Sequence, residues 1–581
     1  MNKVRLINQN DYPEKIYITK TKKPEPDRTS GLSTTIKTSG CGICSGMMVS
    51  QFFGYDMSMD EAIKLSYDYG ANTSFGTKYI PYANGLCDKL NLTCSIGYDA
   101  ETLFKHLDNG GCAVANVGGD HDGHIGVFSH VGHYIFIHKH VGDEVYILDP
   151  GIEPEKYKEE TRKDKVRFED EYVIADVKYL LKDTENRDMP FFMFKQRIDN
   201  VSYENVFNRI DELKDEFVEI WKQVVETESP TANKECVDKV ADYFIKYAQS
   251  QVWNYEYLEN EKAGKAVCIT MNPKANKKPI AISGHMDTVH PLGLMKTYVE
   301  DGKIYGPGCT DCKGGLIVCL LAMQALKDCG YIDRPIKFIL QSDEEVGSRL
   351  SEKKTIEFMC EKAKDCVAFL NTEMMEPGTA VLTRKGIRRY IVKFTGKAAH
   401  SSMCDQGRSA ILEASYKIIE LEKMKNADDV TINVGTIQGG TTPNTVPAEC
   451  QIQIDVRFND EKSMNEADKY IRDICDKTYV EGTTTEVVYL STRIAMEYRD
   501  ANRKLLDNMN EVFRSCGLSE LTARKAKGGS DAAYTTNAGI PSIDSIGVTG
   551  GYIHSKDEYA NIDSLLENAK RMAAVIYGLK D

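Results

Sequence analysis

The sequence is poor in tryptophan and histidine and has no long apolar run. It holds 2 Trp and 11 His among 581 residues. No run approaches the roughly 20 apolar residues of a membrane-spanning helix, and the residues after Met1 lead to no apolar signal segment. We therefore expect a protein that neither crosses a membrane nor is secreted.

Clusters of basic residues are also absent, and the formal net charge is −14. Because nothing basic is gathered to meet phosphates, we expect no binding to nucleic acid. The 17 cysteines, without a secretion signal, indicate reduced thiols in the cytoplasm and not a disulfide framework. The remaining composition, 41% hydrophobic and 28% charged, is typical of a globular protein. The length predicts about two to four domains.

Three charged blocks follow apolar, strand-like runs in the middle of the chain. They are SGHMDTVHP at 283–291, GPGCTDCKGG at 306–315 and QSDEEVGS at 341–348. Loops that leave one edge of an α/β sheet are where such folds build their sites, so we expect these blocks to converge. Imidazole and carboxylate groups are ligands of zinc and of harder cations. The sequence therefore predicts a metal site at this edge.

Each candidate ligand follows a strand-like run or a glycine turn. Glu344 and Glu345 are adjacent at a predicted strand end, where successive side chains point to opposite sides, so one can bind metal while the other faces substrate. Asp287 is positioned to hold the second ring nitrogen of His285. The remaining candidates are Asp311, Glu373 and His554.

The chain from about 203 to 581 resembles the co-catalytic zinc aminoacylase and carboxypeptidase family. That family includes glutamate carboxypeptidase G, acetylornithine deacetylase, succinyl-diaminopimelate desuccinylase and dipeptidases. The matching blocks are 284–289, 311–315, 343–348, 396–401, 443–447, 455–457, 529–532 and 554–555. The resemblance implies a hydrolase that cleaves an amide next to a free carboxylate, in a small peptide or an N-acyl amino acid.

The resemblance also implies the roles of the site residues. Two divalent ions, zinc or alternatively cobalt or manganese, share Asp311 as a bridging ligand. Glu344 is the general base, and Asp287 is a further catalytic residue. One ion is completed by His285 and Glu373, and the other by Glu345 and His554.

Substrate binding is implied for a second set of residues. Asn444, Arg457 and the backbone N–H groups around Gly529 would hold the substrate carboxylate, which suits a bidentate arginine. His400 would reach the site of a neighbouring subunit and stabilise the oxyanion, so the resemblance implies a homodimer formed through an inserted domain. It further implies a cis peptide bond between Asp311 and Cys312.

Some assignments remain open at this stage. Glu376 precedes a proline, as the family's ligand often does, and competes with Glu373. Arg457 could instead form a structural ion pair. His290, beside Pro291, is expected at the surface, and Cys309 and Cys312 are expected to be small packed residues.

The first part of the chain contains a cysteine, a histidine and an aspartate in a suggestive order. Cys41 lies at the start of an apolar helix, whose dipole favours a thiolate. His133 begins a strand, and Asp149 ends the next strand. Neighbouring strands could align the three as nucleophile, base and orienting group.

Residues 30 to 190 resemble the papain-like cysteine peptidases of the bacteriocin-leader-processing type. The matching pieces are 40–42, 132–134 and 148–150. That family usually has a glutamine several residues before the cysteine, and residues 34–38 read TTIKT instead. An active peptidase and a non-catalytic binding or oligomerisation module both remain open. A purely structural interpretation of Cys41 and Cys44 is two buried thiols at the start of a helix. Separately, we expect the loop with His121, His124 and His130 to be solvent-exposed and to bind no metal.

The predicted fold class is an α/β and α+β multidomain protein. A papain-like domain covers residues 1–198. A zinc-peptidase α/β domain covers 203–385 and 496–581, and a ferredoxin-like β-α-β-β-α-β domain, 386–495, is inserted into it as a lid and dimerisation domain. If the first domain also cleaves peptides, the protein would be a bifunctional enzyme with a cysteine peptidase and a metallopeptidase active site.

Overall fold

A computed structural model describes residues 4–17, 35–73, 76–424 and 429–581. The chain divides into two units. One comprises Met1–Asp199 with Ile245–Asn254, and the other comprises Asn200–Phe244 with Tyr255–Asp581. Thr34, the first residue of the stretch that lacks the expected glutamine, lies outside the described residues.

The first unit combines short helices with a seven-stranded antiparallel sheet of order β3-β9-β4-β5-β6-β8-β7. Its helices are α1 Ile36–Ser39, α2 Cys41–Phe52, α3 Met59–Asp68, α4 Tyr79–Leu90, α5 Ala100–Asp108 and α6 Val177–Thr184. Its strands are β1 Asn72–Thr73, β2 Gly76–Thr77, β3 Leu92–Gly97, β4 Cys112–Val117, β5 His133–Val141, β6 Glu144–Leu148, β7 Val166–Glu169, β8 Tyr172–Asp176 and β9 Phe191–Gln196.

Side-chain alternation along β5 serves two cores. Phe136 packs into the core that contains α2, whereas Ile135 and Ile137 pack into the core on the opposite face of the sheet. Helix α2 is almost entirely buried, and Gly46 faces the ring of Tyr82 so closely that a Cβ there would lie 2.4 Å from it. This packing fixes the N-terminal end of α2, where Cys41 lies.

The second unit is built on a six-stranded sheet of order β10-β11-β15-β12-β16-β23. The helices of this part of the chain are α7 Tyr203–Glu212, α8 Lys214–Glu226, α9 Lys234–Ser250, α10 Gly314–Asp328, α11 Lys354–Ala363, α12 Ala410–Leu421, α13 Glu461–Cys475, α14 Asp500–Ser515, α15 Ala532–Asn537 and α16 Ile562–Gly578. The strands are β10 Asn254–Leu258, β11 Ala266–Met271, β12 Ile280–His285, β13 Tyr298–Glu300, β14 Lys303–Tyr305, β15 Ile336–Gln341, β16 Phe369–Asn371, β17 Thr379–Arg384, β18 Gly386–Thr395, β19 Val430–Gly439, β20 Glu449–Phe458, β21 Thr484–Arg493, β22 Thr522–Ala526, β23 Ser542–Ile543, β24 Gly550–Gly551 and β25 Tyr559–Asn561.

Three smaller sheets complete the second unit. Strands β13, β14, β25 and β24 form an antiparallel sheet in that order, and β17 pairs with β22. Strands β19, β20, β18 and β21 form an antiparallel sheet with α12 and α13 packed on it. The protein is thus a mixed α/β multidomain structure.

One helical segment among the described residues, Cys309–Asp328, is long and apolar enough to cross a membrane, with a mean hydropathy of 1.4. The expectation that no run approaches such a span is therefore wrong by that criterion. However, 94% of its most apolar window is buried inside the protein. Its helical part, α10, packs against α7 and α16 and forms part of the core of the second unit.

Candidate functional site

The ends of parallel strands bring the predicted ligands together. Strands β12, β15 and β16 run parallel, and β12 ends at His285. Glu344 and Glu345 follow β15 by a short turn, and Glu373 lies just past β16. The two glutamates lie in a 3-10 turn just past the end of β15, so the turn and not strand alternation sets the directions in which their carboxylates contact different partners.

Asp311 lies between the two candidate histidines. Its Oδ1 is 3.1 Å from His285 Nε2, and its Oδ2 is 3.2 Å from His554 Nε2. A carboxylate that offers one oxygen to each side has the geometry of a bridging ligand. The peptide bond that follows, Asp311–Cys312, is cis, which confirms the prediction.

Two further carboxylates complete the cluster. Glu373 Oε1 lies 4.0 Å from His285 Nε2, and Glu345 Oε2 lies 3.3 Å from His554 Nε2. Glu376 instead pairs with Arg524 at 3.1 Å. The structure therefore favours Glu373 over Glu376 as a member of the cluster.

The electrostatics of the cluster fit a site for cations. Burial raises the pKa of Glu345 to about 7, and the nearby charge of Asp311 adds to this. Burial and the charge of Glu344 likewise raise the pKa of Glu373. Hydrogen bonds to Asp311 and Glu345 raise the pKa of His554 to about 10. Burial without a nearby cation disfavours the charged form of a carboxylate and raises its pKa, whereas a bound divalent ion stabilises the charged form and lowers the pKa. The donor set therefore fits divalent metal.

Cys312 lies close enough to His285 and Glu373 to be a rival ligand. Its thiol instead donates to the carbonyl of Thr372 at 3.1 Å, and burial raises its pKa well above the ordinary value. A neutral thiol is a poor ligand. Both Cys312 and Cys309 are fully buried, as packed residues are.

Asp287 lies beside the second ring nitrogen of His285, as expected, and also contacts the glutamate turn. The ring Nδ1 of His285 is 2.9 Å from the backbone carbonyl of Asp287 and 3.4 Å from its carboxylate. The carboxylate accepts the backbone N–H groups of Glu344 at 3.1 Å and Glu345 at 3.2 Å, and also the hydroxyl of Thr231. Asp287 therefore orients the histidine through its backbone and the glutamate turn through its side chain.

Glu344 is held by an arginine that the sequence reading missed. Arg493, the last residue of β21, lies 2.7 Å from Glu344 Oε1 and also donates to the Glu344 carbonyl. The carboxylate of Asp531 is 3.7 Å from the same guanidinium. Burial and the charge of Glu344 raise the pKa of Asp531 to about 7. No local pattern marks Arg493, because its partner lies 149 positions away.

The loop that carries Asp311 is held by a second missed residue. Glu558 is fully buried and accepts the backbone N–H groups of Gly308 at 3.1 Å, Thr310 at 2.9 Å and Asp311 at 3.1 Å. His290 lies 3.3 Å from the same carboxylate and is 3% exposed, so the expectation that it lies at the surface is wrong. In the sequence, the available signal for Glu558 was an acidic residue four positions after His554.

The predicted substrate-binding residues lie on or near the inserted strands. His400 contacts Ser402, and the Asn444 carbonyl accepts the N–H of Ser401, so His400 and Asn444 are neighbours. Both are exposed.

Arg457 forms an ion pair with Asp455 at 2.6 Å and donates to the carbonyl of Lys527 at 3.4 Å. Gly529 packs against Arg493, with room for no side chain, because a Cβ there would lie 2.3 Å from that arginine. Arg457 therefore forms the structural ion pair that was left open. Its other contact, with the carbonyl of Lys527, lies two residues before Gly529.

In the first unit the predicted triad is assembled. Nε2 of His133 lies 2.7 Å from Asp149 Oδ1, which leaves Nδ1 for the thiol of Cys41. Burial raises the pKa of Cys41, but the hydrogen bond and charge of His133 outweigh this, so the pKa falls below its ordinary value. Burial and the charge of Lys156 lower the pKa of His133, whereas Asp149 raises it. The net result is a pKa above the ordinary value. This is the arrangement of an activated thiol.

Asp149 is itself held by three residues. Its Oδ2 accepts the ammonium of Lys156 at 2.6 Å and the hydroxyl of Tyr157 at 2.6 Å. The N–H of Gly151 donates to Oδ1 at 2.9 Å. The orientation of the carboxylate, and through it the tautomer of His133, is therefore fixed from three sides.

A glutamine from the N-terminal end of the chain contacts two segments that neighbour the triad in sequence. Gln9 donates its backbone N–H to the carbonyl of Pro150 and its side-chain amide to the carbonyl of Lys37, both at 2.8 Å. Pro150 follows Asp149, and Lys37 lies four positions before Cys41. Gln9 thus contacts the segments that flank both Cys41 and Asp149, although residues 34–38 hold no glutamine.

The histidine-rich loop is ordered by a buried aspartate. Asp183 accepts His124 Nε2 at 2.6 Å and the backbone N–H groups of Val127 at 3.0 Å and Phe128 at 2.8 Å. His130 pairs with Asp120 and Glu159. Hydrogen bonds account for the position of these imidazoles, and among the described residues both groups with metal-binding geometry lie elsewhere.

Comparison with known proteins agrees with this geometry. Residues 281–578 match the family described as Peptidase family M20/M25/M40, and residues 1–177 match the Peptidase_C39 like family. Carboxypeptidase G2 of Pseudomonas sp. (strain RS-16) is 29% identical over 311 residues, which is 52% of this chain and 74% of that protein. Succinyl-diaminopimelate desuccinylase of Wolbachia pipientis wMel is 23% identical over 313 residues, or 49% and 75%.

Solved structures share the fold. A tripeptidase from Staphylococcus aureus subsp. aureus Mu50 superposes with a TM-score of 0.54 at 23% identity, over 65% of this chain and 98% of that one. Because the family match covers half of the chain and includes the clustered ligands, the chain is a hydrolase that belongs to Peptidase family M20/M25/M40 and carries a Peptidase_C39-like region before it.

Proposed function

We propose that the second unit cleaves an amide bond next to a free carboxylate. Its substrate would be an N-acyl amino acid, a dipeptide or the C-terminal residue of a peptide. The observation that carries this proposal is the position of Asp311 between His285 and His554, with Glu344 close by. The relatives named above include a carboxypeptidase and a desuccinylase, which agrees with this chemistry.

Two divalent ions, zinc in the first instance and cobalt or manganese as alternatives, would be held by this cluster. Asp311 would be shared, with His285 and Glu373 on one side and Glu345 and His554 on the other. When bound, such ions supply Lewis acidity toward the amide carbonyl and the attacking water.

Glu344 would act as the general base. Its carboxylate would accept a proton from the attacking water and deliver it to the nitrogen of the leaving amine. Arg493 and the Asp287 carboxylate hold Glu344 from two directions, so the base is already oriented before substrate arrives.

The inserted segment 386–495 would act as a ferredoxin-like lid. Asn444, Arg457 and the backbone N–H groups near Gly529 would hold the substrate carboxylate. His400, exposed on this segment, would reach the site of a second subunit and donate to the oxyanion.

An exposed apolar face on α12 supports a homodimer through this segment. Leu412, Tyr416 and Ile419 lie on one face of the helix and are 46%, 45% and 62% exposed. Contact with a second copy would bury them. Light scattering of the protein and of Tyr416→Glu tests this, because a wild-type monomer contradicts it.

Replacement of Glu344 by Gln tests the proposed reaction. We expect metal content to be unchanged and turnover of N-acyl amino acids and dipeptides to fall by at least about 10²-fold. Glu357→Gln, an exposed change on α11, serves as the control. Retained turnover in Glu344→Gln would refute the assigned base.

The first unit supports a second activity, that of a cysteine peptidase acting in the cytoplasm. Cys41 would attack the peptide carbonyl, and His133 would hold the thiol proton and pass it to the leaving amine. Gln9 would donate to the oxyanion.

Cys41→Ala should remove thiol-dependent cleavage of a peptide library and leave metal-dependent hydrolysis intact. Absence of thiol-dependent cleavage in the wild type would favour a binding module. In that case a truncation starting near Ser202 should weaken substrate binding without changing turnover.

A further inference from the structure

A row of tyrosine rings crosses the sheet formed by β13, β14, β25 and β24. Tyr298 pairs with Tyr305, Tyr305 with Tyr559, and Tyr559 with Gly551. Side chains directly opposite one another on neighbouring strands point to the same face. The ring centres of successive tyrosines are 4.6 and 6.0 Å apart, and Tyr552 extends the row past Gly551 at 6.1 Å from Tyr559.

The tyrosine face is the outer face of this sheet. Ile304 and Ala560, which alternate with the tyrosines, are fully buried beneath it. The two end rings are open to solvent, with Tyr298 45% and Tyr552 70% exposed. The ammonium of Lys303 lies 4.5 Å from the ring centre of Tyr559 and covers part of the middle of the row. Aromatic surface of this extent on one face is typical of a binding site.

This sheet is continuous with the metal site. Strand β14 leads through residues 306–310 to Asp311, and the hydroxyl of Thr310 donates to the carbonyl of Tyr559 at 2.6 Å. Tyr552 lies two residues before His554 on the other side. Asp311 and His554 therefore both lie on chain segments that leave the sheet carrying the row, and Tyr552 at one end of the row is two residues from His554.

From this continuity we infer that the tyrosine row binds the part of a peptide substrate that lies on the N-terminal side of the scissile amide. The carboxylate end is assigned to Arg457 and the Gly529 turn, so the opposite end of the substrate is left to the His554 side. Three strand spacings of about 4.8 Å give a row about 14 Å long, which matches about four extended residues. Stacked rings favour apolar or aromatic side chains. This inference rests on the proposed function, and it makes the enzyme a peptidase for short apolar peptides.

The test compares a dipeptide with the same dipeptide extended at its N-terminus by Phe-Leu. In the wild type we expect kcat/KM to be at least about fivefold higher for the extended peptide. In Tyr298→Ala and in Tyr552→Ala this ratio should fall by about fivefold. Tyr498→Ala, which removes a 58% exposed ring outside the sheet, should leave the ratio unchanged.

A binding measurement separates this inference from the proposed reaction. Calorimetry of the extended peptide with Glu344→Gln, alone and combined with Tyr298→Ala, should show roughly fivefold weaker binding in the double variant. Equal ratios in all variants, or unchanged binding in the double variant, would overturn the inference. Failure of metal-dependent dipeptide hydrolysis overturns the proposed function, and the calorimetry still decides the role of the row.

Discussion

Arg493 and Glu344 form an ion pair at 2.7 Å although 149 positions separate them in the sequence. Arg493 ends the last strand of the inserted segment, whereas Glu344 follows a central strand of the six-stranded sheet. The orientation of the proposed base is therefore set by the segment proposed to cover the site.

Arg493→Ala should lower kcat by about 10²-fold, because a misplaced base is costly even when it is present. Metal content should be unchanged, since Arg493 contacts none of the proposed ligands directly. Steady-state kinetics with metal analysis checks this. Arg499→Ala, which removes an exposed arginine paired with Glu497, is the matched control. Full activity in Arg493→Ala would show that Glu344 needs no such support.

Glu558→Gln should weaken metal binding by roughly 10- to 100-fold, as loss of groups that orient ligands typically does. The glutamine keeps the size of the side chain but loses the charge and one of the two oxygens that accept the N–H groups of the Asp311 loop. Competition with a chromophoric chelator measures the affinity. Asp557→Asn changes the exposed neighbour and should have no effect. Equal affinity in both variants would assign Glu558 to folding alone.

The pH dependence of Cys41 alkylation should move when Lys156 is replaced by Met. The pKa of the Cys41 thiol lies below its ordinary value and that of His133 lies above its own, and both directions favour the thiolate–imidazolium pair. Lys156 lowers the pKa of His133, and its removal stabilises the imidazolium and hence the thiolate.

The alkylation rate with iodoacetamide should therefore rise at a lower pH in Lys156→Met, by on the order of one unit. Lys158→Met removes an exposed lysine of the same loop and should leave the profile unchanged. A shift to higher pH would contradict the assigned role of Asp149 and its partners.

Gln9→Ala should reduce thiol-dependent peptide cleavage by about 10²- to 10³-fold, the usual effect of losing one oxyanion donor. The alkylation rate of Cys41 should be unchanged, because alkylation forms no oxyanion. Gln51→Ala is a comparable change elsewhere in the same unit. An equal loss of alkylation and cleavage would mean that Gln9 supports the fold near Lys37 and not the reaction.

Local sequence signals predicted the residues that cluster around Asp311 and the three residues Cys41, His133 and Asp149. His285, Asp311 and Cys41 each follow a strand end, a glycine turn or a helix start, and these features can be read from short stretches. The partners that hold them cannot. Glu558 reaches Asp311 across 247 positions, and Gln9 contacts Pro150, which lies more than a hundred positions further along the chain.

Errors in the sequence reading have the same origin. His290 looks like a surface residue beside a proline, and only the fold reveals the buried carboxylate of Glu558 next to it. The contact of Asp287 with His285 was predicted, but its further contact with the backbone of the Glu344 turn was not, because that contact depends on where the turn lies in space. Pairwise contacts between distant segments carry information that no local pattern contains.

The most direct test of the account is an anomalous diffraction map recorded at the zinc edge from crystals of zinc-loaded protein. We expect two peaks, one within ligand distance of His285, Asp311 and Glu373 and the other within ligand distance of Asp311, Glu345 and His554. Absence of both peaks at these residues in the presence of saturating zinc would contradict the assignment.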